Sequence, residues 1–310
     1  MQKRYYSFTE FIKAQYGGRL QKVVLDAGFS CPNRDGTLGT GGCTYCLNEA
    51  FHPAYSRPEI VLHQQIDEGI LFHKERYARA RGFLAYFQSY SNTYAPLERL
   101  KQVYEEALSH PQIKGLVIGT RPDCVDAPTL DYLAELSQKH IIFLEYGIES
   151  CFNRTLTRIR RGHTFEQACE AVTQSARRGL HTGAHFIFGL PGESKEDMMH
   201  TAKLISALPL TSVKFHQLQI IKGTPMEQEF YQCPNDFVTF SLPEYIDFFI
   251  DYLEQFTPFI AIERFAGEVP PRFVSNTPWG LIRYADLVKM LEQRLEERDS
   301  RQGKKWTGTS

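Results

Sequence analysis

Short apolar runs recur along this chain at intervals of roughly 30–60 residues, and the stretches between them carry helical spacing. The runs lie at 22–29, 82–88, 115–120, 140–149, 181–190 and 211–221, with a seventh at 259–265. Helix starts are marked between them. Pro96 precedes one helix. Thr164 with Gln167, Ser194 with Asp197, and Ser241 with Glu244 each pair an N-cap with a polar or acidic third residue. Gly179 stands where a helix would stop. Strand–helix alternation of this kind predicts an α/β fold, and successive right-handed βα units curl into a barrel or partial barrel. The chain has 310 residues, 42% of them hydrophobic, enough for one large core. Barrels of this type place their chemistry on the loops after the C-terminal ends of the strands.

The loop after the first predicted strand holds three cysteines, Cys31, Cys43 and Cys46, in the string GFSCPNRDGTLGTGGCTYC. Three thiolates are one short of a closed site. Structural zinc takes four ligands, and so does an iron–sulfur cube held wholly by protein. A cube on three thiolates keeps one iron open for a small molecule. The zinc alternative needs a fourth ligand, for which His52 is the nearest choice. Gly36, Gly39, Gly41 and Gly42 let the loop turn tightly and aim backbone N–H groups at sulfur. Cys124, Cys151, Cys169 and Cys233 are isolated, and Cys124 and Cys151 read as buried thiols.

Other strand ends are polar as well. HFIFGLPGES (185–194) is a strand ending in glycines before a capped helix, where a ligand can approach the backbone closely. An ordinary βα turn is its plain alternative. In EYGIES, Glu145, Gly147 and Glu149 share one face of a strand. Two carboxylates in a barrel lumen are costly unless they bind something, either a ligand or basic residues such as those in RTLTRIRRGH (154–163). Arg121 and Asp123 follow the third strand, and Gln88 and Ser89 follow the second. His216 and Gln217 lie on the sixth, with Lys222 past its end. The pair Arg160–Arg161, with His163, could take a carboxylate or phosphate. Polar residues at successive strand ends are how barrel active sites are assembled.

The formal net charge is −1 and the pI about 6.8, so no global basic field points to nucleic acid. The basic tail RQGKKW (301–306) reads as solvated. No apolar run is long enough to span a bilayer, and MQKRYYSFTEF lacks the apolar core of a secretion signal. A cytoplasmic location and no membrane partner are expected. Seven cysteines in such a chain read as thiols or ligands.

Taken together, the cysteines with Tyr45 before the last of them, Glu149 on the fourth strand and FIFGLPGE on the fifth resemble the radical S-adenosylmethionine superfamily. SCPNRDGT, GGCTYC, YFQSYSNTYAP, GTRPDC, RGHT and IIKGTPM resemble its YhcC/YtqA-type family in particular. That group is similar to the radical domain of the Elongator catalytic subunit. The spacing C-x11-C-x2-C departs from the superfamily's common C-x3-C-x2-C. The resemblance implies a partial (β/α)6 TIM-like barrel at 21–257, a short N-terminal extension at 1–20, and a C-terminal extension at 258–310 with a seventh strand and a helix. It implies a [4Fe–4S] cluster on Cys31, Cys43 and Cys46, with S-adenosylmethionine on the open iron. Tyr45 would lie near the adenine. Gln88 and Ser89 stand where relatives hold the methionine amine with a glycine-glycine-glutamate motif. Glu149 matches a ribose- or methionine-binding residue, and Arg161 an arginine that meets the methionine carboxylate. His185 stands at a ribose-binding aspartate position. Ile187 and Gly189 match an adenine-contacting motif, and Arg121 joins the cofactor-binding set.

The activity so implied is reductive cleavage of S-adenosylmethionine to a 5′-deoxyadenosyl radical, with electrons from a donor such as flavodoxin or ferredoxin. That radical would abstract hydrogen from the wobble-uridine side chain of a tRNA. The enzymatic alternative is a small metabolite or cofactor precursor. The non-catalytic alternative is a zinc-stabilised binding protein that uses His52.

Overall fold

The computed structural model describes residues 3–51, 53–74, 80–276, 278–280 and 282–308. Among them, seven strands form one sheet: β1 (Arg19–Leu25), β2 (Ala80–Phe87), β3 (Ile113–Thr120), β4 (Ile141–Glu149), β5 (His181–Phe188), β6 (Ser212–Gln217) and β7 (Ala261–Arg264). Every neighbouring pair is parallel, and the spatial order is the chain order. The sheet curls into a half-barrel, the α/β class the strand–helix alternation predicts.

The helices are α1 (Phe8–Tyr16), α2 (Leu62–His73), α3 (Leu97–Leu108), α4 (Ala127–Ser137), α5 (Asn153–Arg158), α6 (Phe165–Arg177), α7 (Lys195–Ser206), α8 (Pro225–Gln232), α9 (Leu242–Gln255) and α10 (Tyr284–Glu297). The capping boxes expected at Thr164, Ser194 and Ser241 open α6, α7 and α9. Among the described residues no helix is long and apolar enough to cross a membrane.

Strand alternation sorts the side chains into two sets. On β4, Leu144, Tyr146 and Ile148 point out to the helix layer and join the main core. Phe143, Glu145, Gly147 and Glu149 point into the lumen. Phe215 on β6 packs on Phe188 of β5 and on Phe249 and Tyr252 of α9, which fixes that helix against the outer face.

The N-terminal end of the lumen is closed by α1. Its Phe11 and Ile12 pack with the inward residues Leu84, Val117, Phe143 and Ala261. A capping box between Ser7 and Glu10 starts this helix, and Gly17, at φ +69°, ends it. The described segment ahead of β1 is thus a plug, and the S-x-x-E string at 7–10 is its signature.

Three strands end two or more residues earlier than their apolar runs. β1 stops at Leu25 because Gln65 of α2 takes the Asp26 N–H, at 2.9 Å. β5 stops at Phe188 because Gly189 turns left-handed, at φ +89°. β6 stops at Gln217, where its partner strand has ended.

Candidate functional site

The loops beyond the C-terminal ends of the strands enclose a cavity of about 260 Å³. Cys31, Cys43 and Cys46 all line it, and all are free thiols. Backbone bonds shape their loop. Arg34 and Asp35 N–H groups donate to Cys31 O, at 2.8 and 3.2 Å, and Gly42 N–H donates to Asn33 O at 2.8 Å. Thr44 N–H docks the far half of the loop on Ile159 O at 3.0 Å, just past α5.

Hydrogen-bond donors converge on the sulfurs. Asn33 Nδ2 lies 3.4 Å from Cys43 Sγ, and Arg161 Nη1 lies 3.6 Å from it. Arg121 Nη1 lies 3.7 Å from Cys31 Sγ. Arg121 is 1% exposed, and its other edge is held by Asp123 through two bonds of 2.9 and 2.6 Å. Cationic and amide donors stabilise the charge that thiolate ligands carry, and they tune a bound cluster. Burial, then the neighbouring Cys43, pushes the Cys46 thiol up, so ligand binding there releases a proton. Among the described residues no three His, Cys, Asp or Glu side chains are arranged to hold a metal ion. The thiols instead share a cavity wall. All-thiolate ligation is the donor chemistry of iron–sulfur clusters, so the residues fit such a group. His52, the fourth ligand of the zinc alternative, lies outside the described residues.

The end of β4 forms the adjoining wall. The register with β5 shifts between Gly147 and Glu149, a bulge that re-aims the strand end. Glu149 takes φ +73° there, a conformation that side-chain-bearing residues seldom adopt. Its carboxylate meets Arg161 Nη2 at 3.5 Å. Arg161 also donates to Gly147 O through Nε, at 3.1 Å, and through Nη2. A Cβ on Gly147 would collide with the Arg161 guanidinium and lie 2.7 Å from Glu149 Oε1. Glycine is required for Arg161 to lie across the strand. His163 also contacts Gly147 O, at 3.3 Å. Burial and the Arg161 charge lower it to about 4, so it is neutral near pH 7.

Of the other predicted cofactor residues, Tyr45, Gln88, Arg121, His185 and Ile187 line the same cavity with Glu149 and Arg161. Ser89 is buried and is not part of the lining. Gly189 lines a separate, smaller cavity with Leu218 and Trp279, because its left-handed turn carries the chain away from the lumen. Its N–H meets Met198 Sδ at 3.1 Å. Cys124 and Cys151 lie off the main cavity. Burial pushes Cys124 up to about 12 and raises Cys151 as well.

The two lumen carboxylates have different fates. Glu149 is partnered from the RTLTRIRRGH segment, as one of the two readings expects. Glu145, 2% exposed, is met from across the barrel. Lys22 Nζ and Lys214 Nζ each lie 2.6 Å from one of its oxygens, and His185 Nε2 lies 3.2 Å away. Glu263 joins at 2.6 Å from Lys22 and 3.3 Å from Lys214. Burial alone would raise Glu145, but Lys214 and then Lys22 outweigh it and hold the carboxyl well below its usual range. This charged floor separates the cavity from the α1 plug. Its sequence signal is a lysine on the inward side of β1 and of β6. Elsewhere, Arg154 pairs with Asp197, and Arg158 bridges Glu229 and Asp236, so the basic segment after β4 is largely neutralised.

Comparison with known proteins agrees with this geometry. Residues 36–205 match the Radical SAM superfamily, and 210–297 match the Radical_SAM C-terminal domain. The uncharacterized protein YtqA of Bacillus subtilis is 34% identical over 304 residues, covering 98% of this chain and 93% of YtqA. Protein YhcC of Escherichia coli K12 is 40% identical over 229 residues, 73% of this chain and 72% of YhcC. The chain belongs to the radical SAM superfamily, in the family of YtqA and YhcC. Among solved structures, an archaeal Elp3 of Methanocaldococcus infernus with an N-terminal deletion aligns with a TM-score of 0.65 at 16% identity. The alignment covers 91% of this chain and 64% of that one, and at such identity it speaks for the fold alone.

Proposed function

We propose that this protein is a radical S-adenosylmethionine enzyme whose cluster is held by Cys31, Cys43 and Cys46. One observation carries the reading: three free thiols line a single cavity at the C-terminal face, with guanidinium and amide donors aimed at the sulfurs of Cys31 and Cys43. When bound, the [4Fe–4S] cluster and S-adenosylmethionine supply reductive cleavage of a sulfonium C–S bond and hydrogen-atom abstraction. The chain's residues position and shield. Arg121 and Asn33 steady Cys31 and Cys43. Arg161, clamped to Gly147 O and Glu149, presents its cation where the methionine carboxylate would bind. Glu149, on its strained bulge, offers an acceptor to a hydroxyl or ammonium group of the cofactor. Tyr45 and Ile187 supply apolar surface for the adenine, and Gln88 and His185 supply polar contacts. Arg121 and Arg161 sit too deep to be screened by water, which strengthens their field on the ligand.

The experiment is anaerobic reconstitution with iron and sulfide, followed by metal and sulfide analysis. The reading predicts about four irons and four sulfides per chain, lost in Cys43→Ala. One zinc and no sulfide would replace it with the metal-stapled binding protein.

For the substrate, the sequence motifs that resemble the Elongator radical domain's group support a tRNA wobble uridine. The ion pairs of Arg154 and Arg158 favour the small-metabolite alternative, because of the arginines at 154–161 they leave Arg160 alone exposed and without an ion pair among the described residues. Stimulation of S-adenosylmethionine cleavage by total tRNA, compared with a tRNA-free metabolite extract, separates the two.

A further inference from the structure

The walls of the cavity differ in how well their polar groups are met. On the cysteine side, Arg121 is held by Asp123 and Arg161 by Gly147 and Glu149. In the floor, Lys22, Lys214 and Glu145 satisfy one another, and Glu263 meets both lysines through one oxygen while its other is buried without a partner among the described residues. The opposite wall, at the ends of β6 and β7, is different. The Arg264 side chain lines the cavity and makes no hydrogen bond or ion pair with any described residue. The His216 imidazole makes no hydrogen bond with any described residue either, and its Nε2 is buried. Gln219 turns its amide toward Gly267 O, at 3.4 Å, and leaves a buried Oε1 without a partner.

A buried polar atom left unmet costs about 1–3 kcal/mol, so two beside an unpaired guanidinium mark a wall completed by a ligand. The wall is also rigidly built. Gln217 clasps Gly267 from both sides, accepting from its N–H at 2.8 Å and donating to its O at 3.1 Å. A Cβ on Gly267 would lie 3.1 Å from His216 Nδ1, so backbone is pressed against the imidazole. His216 stacks on His185 with ring centroids 5.4 Å apart. Burial, then His185 and the Arg264 charge, keeps His216 neutral, with one nitrogen to donate and one to accept. The wall therefore offers a guanidinium fork, a two-way imidazole and a carbonyl acceptor.

We infer that this wall is the substrate subsite and that the substrate carries an oxyanion, a phosphate or a carboxylate, which Arg264 binds while His216 and Gln219 hydrogen-bond the polar atoms beside it. The inference rests on the reading of the cysteine side as the cofactor side. Arg264 forks suit either anion, and the fixed floor beneath confines the bound group to the lumen. Glu268, exposed at the same rim, suits a hydrogen-bond donor next to that anion.

The test is calorimetric titration of the anaerobically reconstituted protein with inorganic phosphate and, separately, with acetate, at constant ionic strength. Wild type is compared with Arg264→Gln and Arg264→Lys, each checked for equal iron content. Saturable binding of at least one anion is expected, weakened about tenfold or more in Arg264→Gln and partly restored in Arg264→Lys. Saturation by phosphate alone assigns a phosphate ester, by acetate alone a carboxylate, and by both an oxyanion of either kind. Absence of saturable binding by either anion, or unchanged affinity in Arg264→Gln, overturns the inference. Iron and sulfide content of wild type is read from the same samples. A protein that lacks the cluster but loses anion binding with Arg264→Gln sinks the cofactor reading and keeps the anion site.

Discussion

Glu193 is a buried acid whose titration has a sign and a size. It is 3% exposed and accepts a hydrogen bond from Ser150 Oγ, tying the turn after β5 to the residue that follows Glu149. Burial raises its carboxyl from 4.5 to about 7. The folded chain therefore holds this proton more tightly than the unfolded one. The resulting stability is complete below 4.5 and is lost as pH climbs to about 7, then stays constant. A shift of this size is worth roughly 3 kcal/mol in full, of which about 2–3 kcal/mol falls between about pH 5 and about pH 8. Glu193→Gln keeps the shape and removes the titration. Urea unfolding at those two pH values should show wild type losing about 2–3 kcal/mol more than the variant on going to the higher pH, with matching m-values. Parallel losses in the two proteins would refute the argument, because they would mean that Glu193 is ionised in the folded chain at no cost.

Other consequences follow from the same contacts. Lys214→Met strands the Glu145 charge beside a single lysine and should destabilise the fold by about 3–5 kcal/mol in urea unfolding. Glu145 has the opposite pH sign from Glu193: its folded carboxyl is depressed, so its contribution is present above 4.5 and lost as pH falls through the lower folded value. Glu145→Gln should therefore flatten the acid limb of the stability curve. Gly147→Ala should push Arg161 off β4 and weaken S-adenosylmethionine binding about tenfold or more in equilibrium dialysis, with iron content retained. Cys124→Ser and Cys151→Ser should leave iron and sulfide content unchanged, since neither thiol lines the cavity.

What could be read from the chain depended on how local each feature is. Strand alternation, capping boxes and the cysteine loop are short-range patterns. The sheet order, the starts of α6, α7 and α9, and the common face of Glu145 and Glu149 were legible for that reason. The pairing of Arg121 with Cys31 spans 90 residues, and that of Lys22 with Glu145 spans 123. Such contacts depend on the curl of the sheet and on strand register, which no local pattern encodes. Gly189 belongs to a strand motif, yet a left-handed turn takes it out of the cavity that Ile187 enters. The plug α1 lies between these cases. Its capping box is local, but its place against β1 and β7 follows from the half-barrel having an open end to fill.

The most direct test of the central claim is 5′-deoxyadenosine formed by the anaerobically reconstituted protein with S-adenosylmethionine and a strong reductant, compared with Cys43→Ala. The account predicts formation by wild type and none by the variant. Wild-type protein that carries a full cluster yet yields no 5′-deoxyadenosine, or a Cys43→Ala variant that yields as much as wild type, would contradict it.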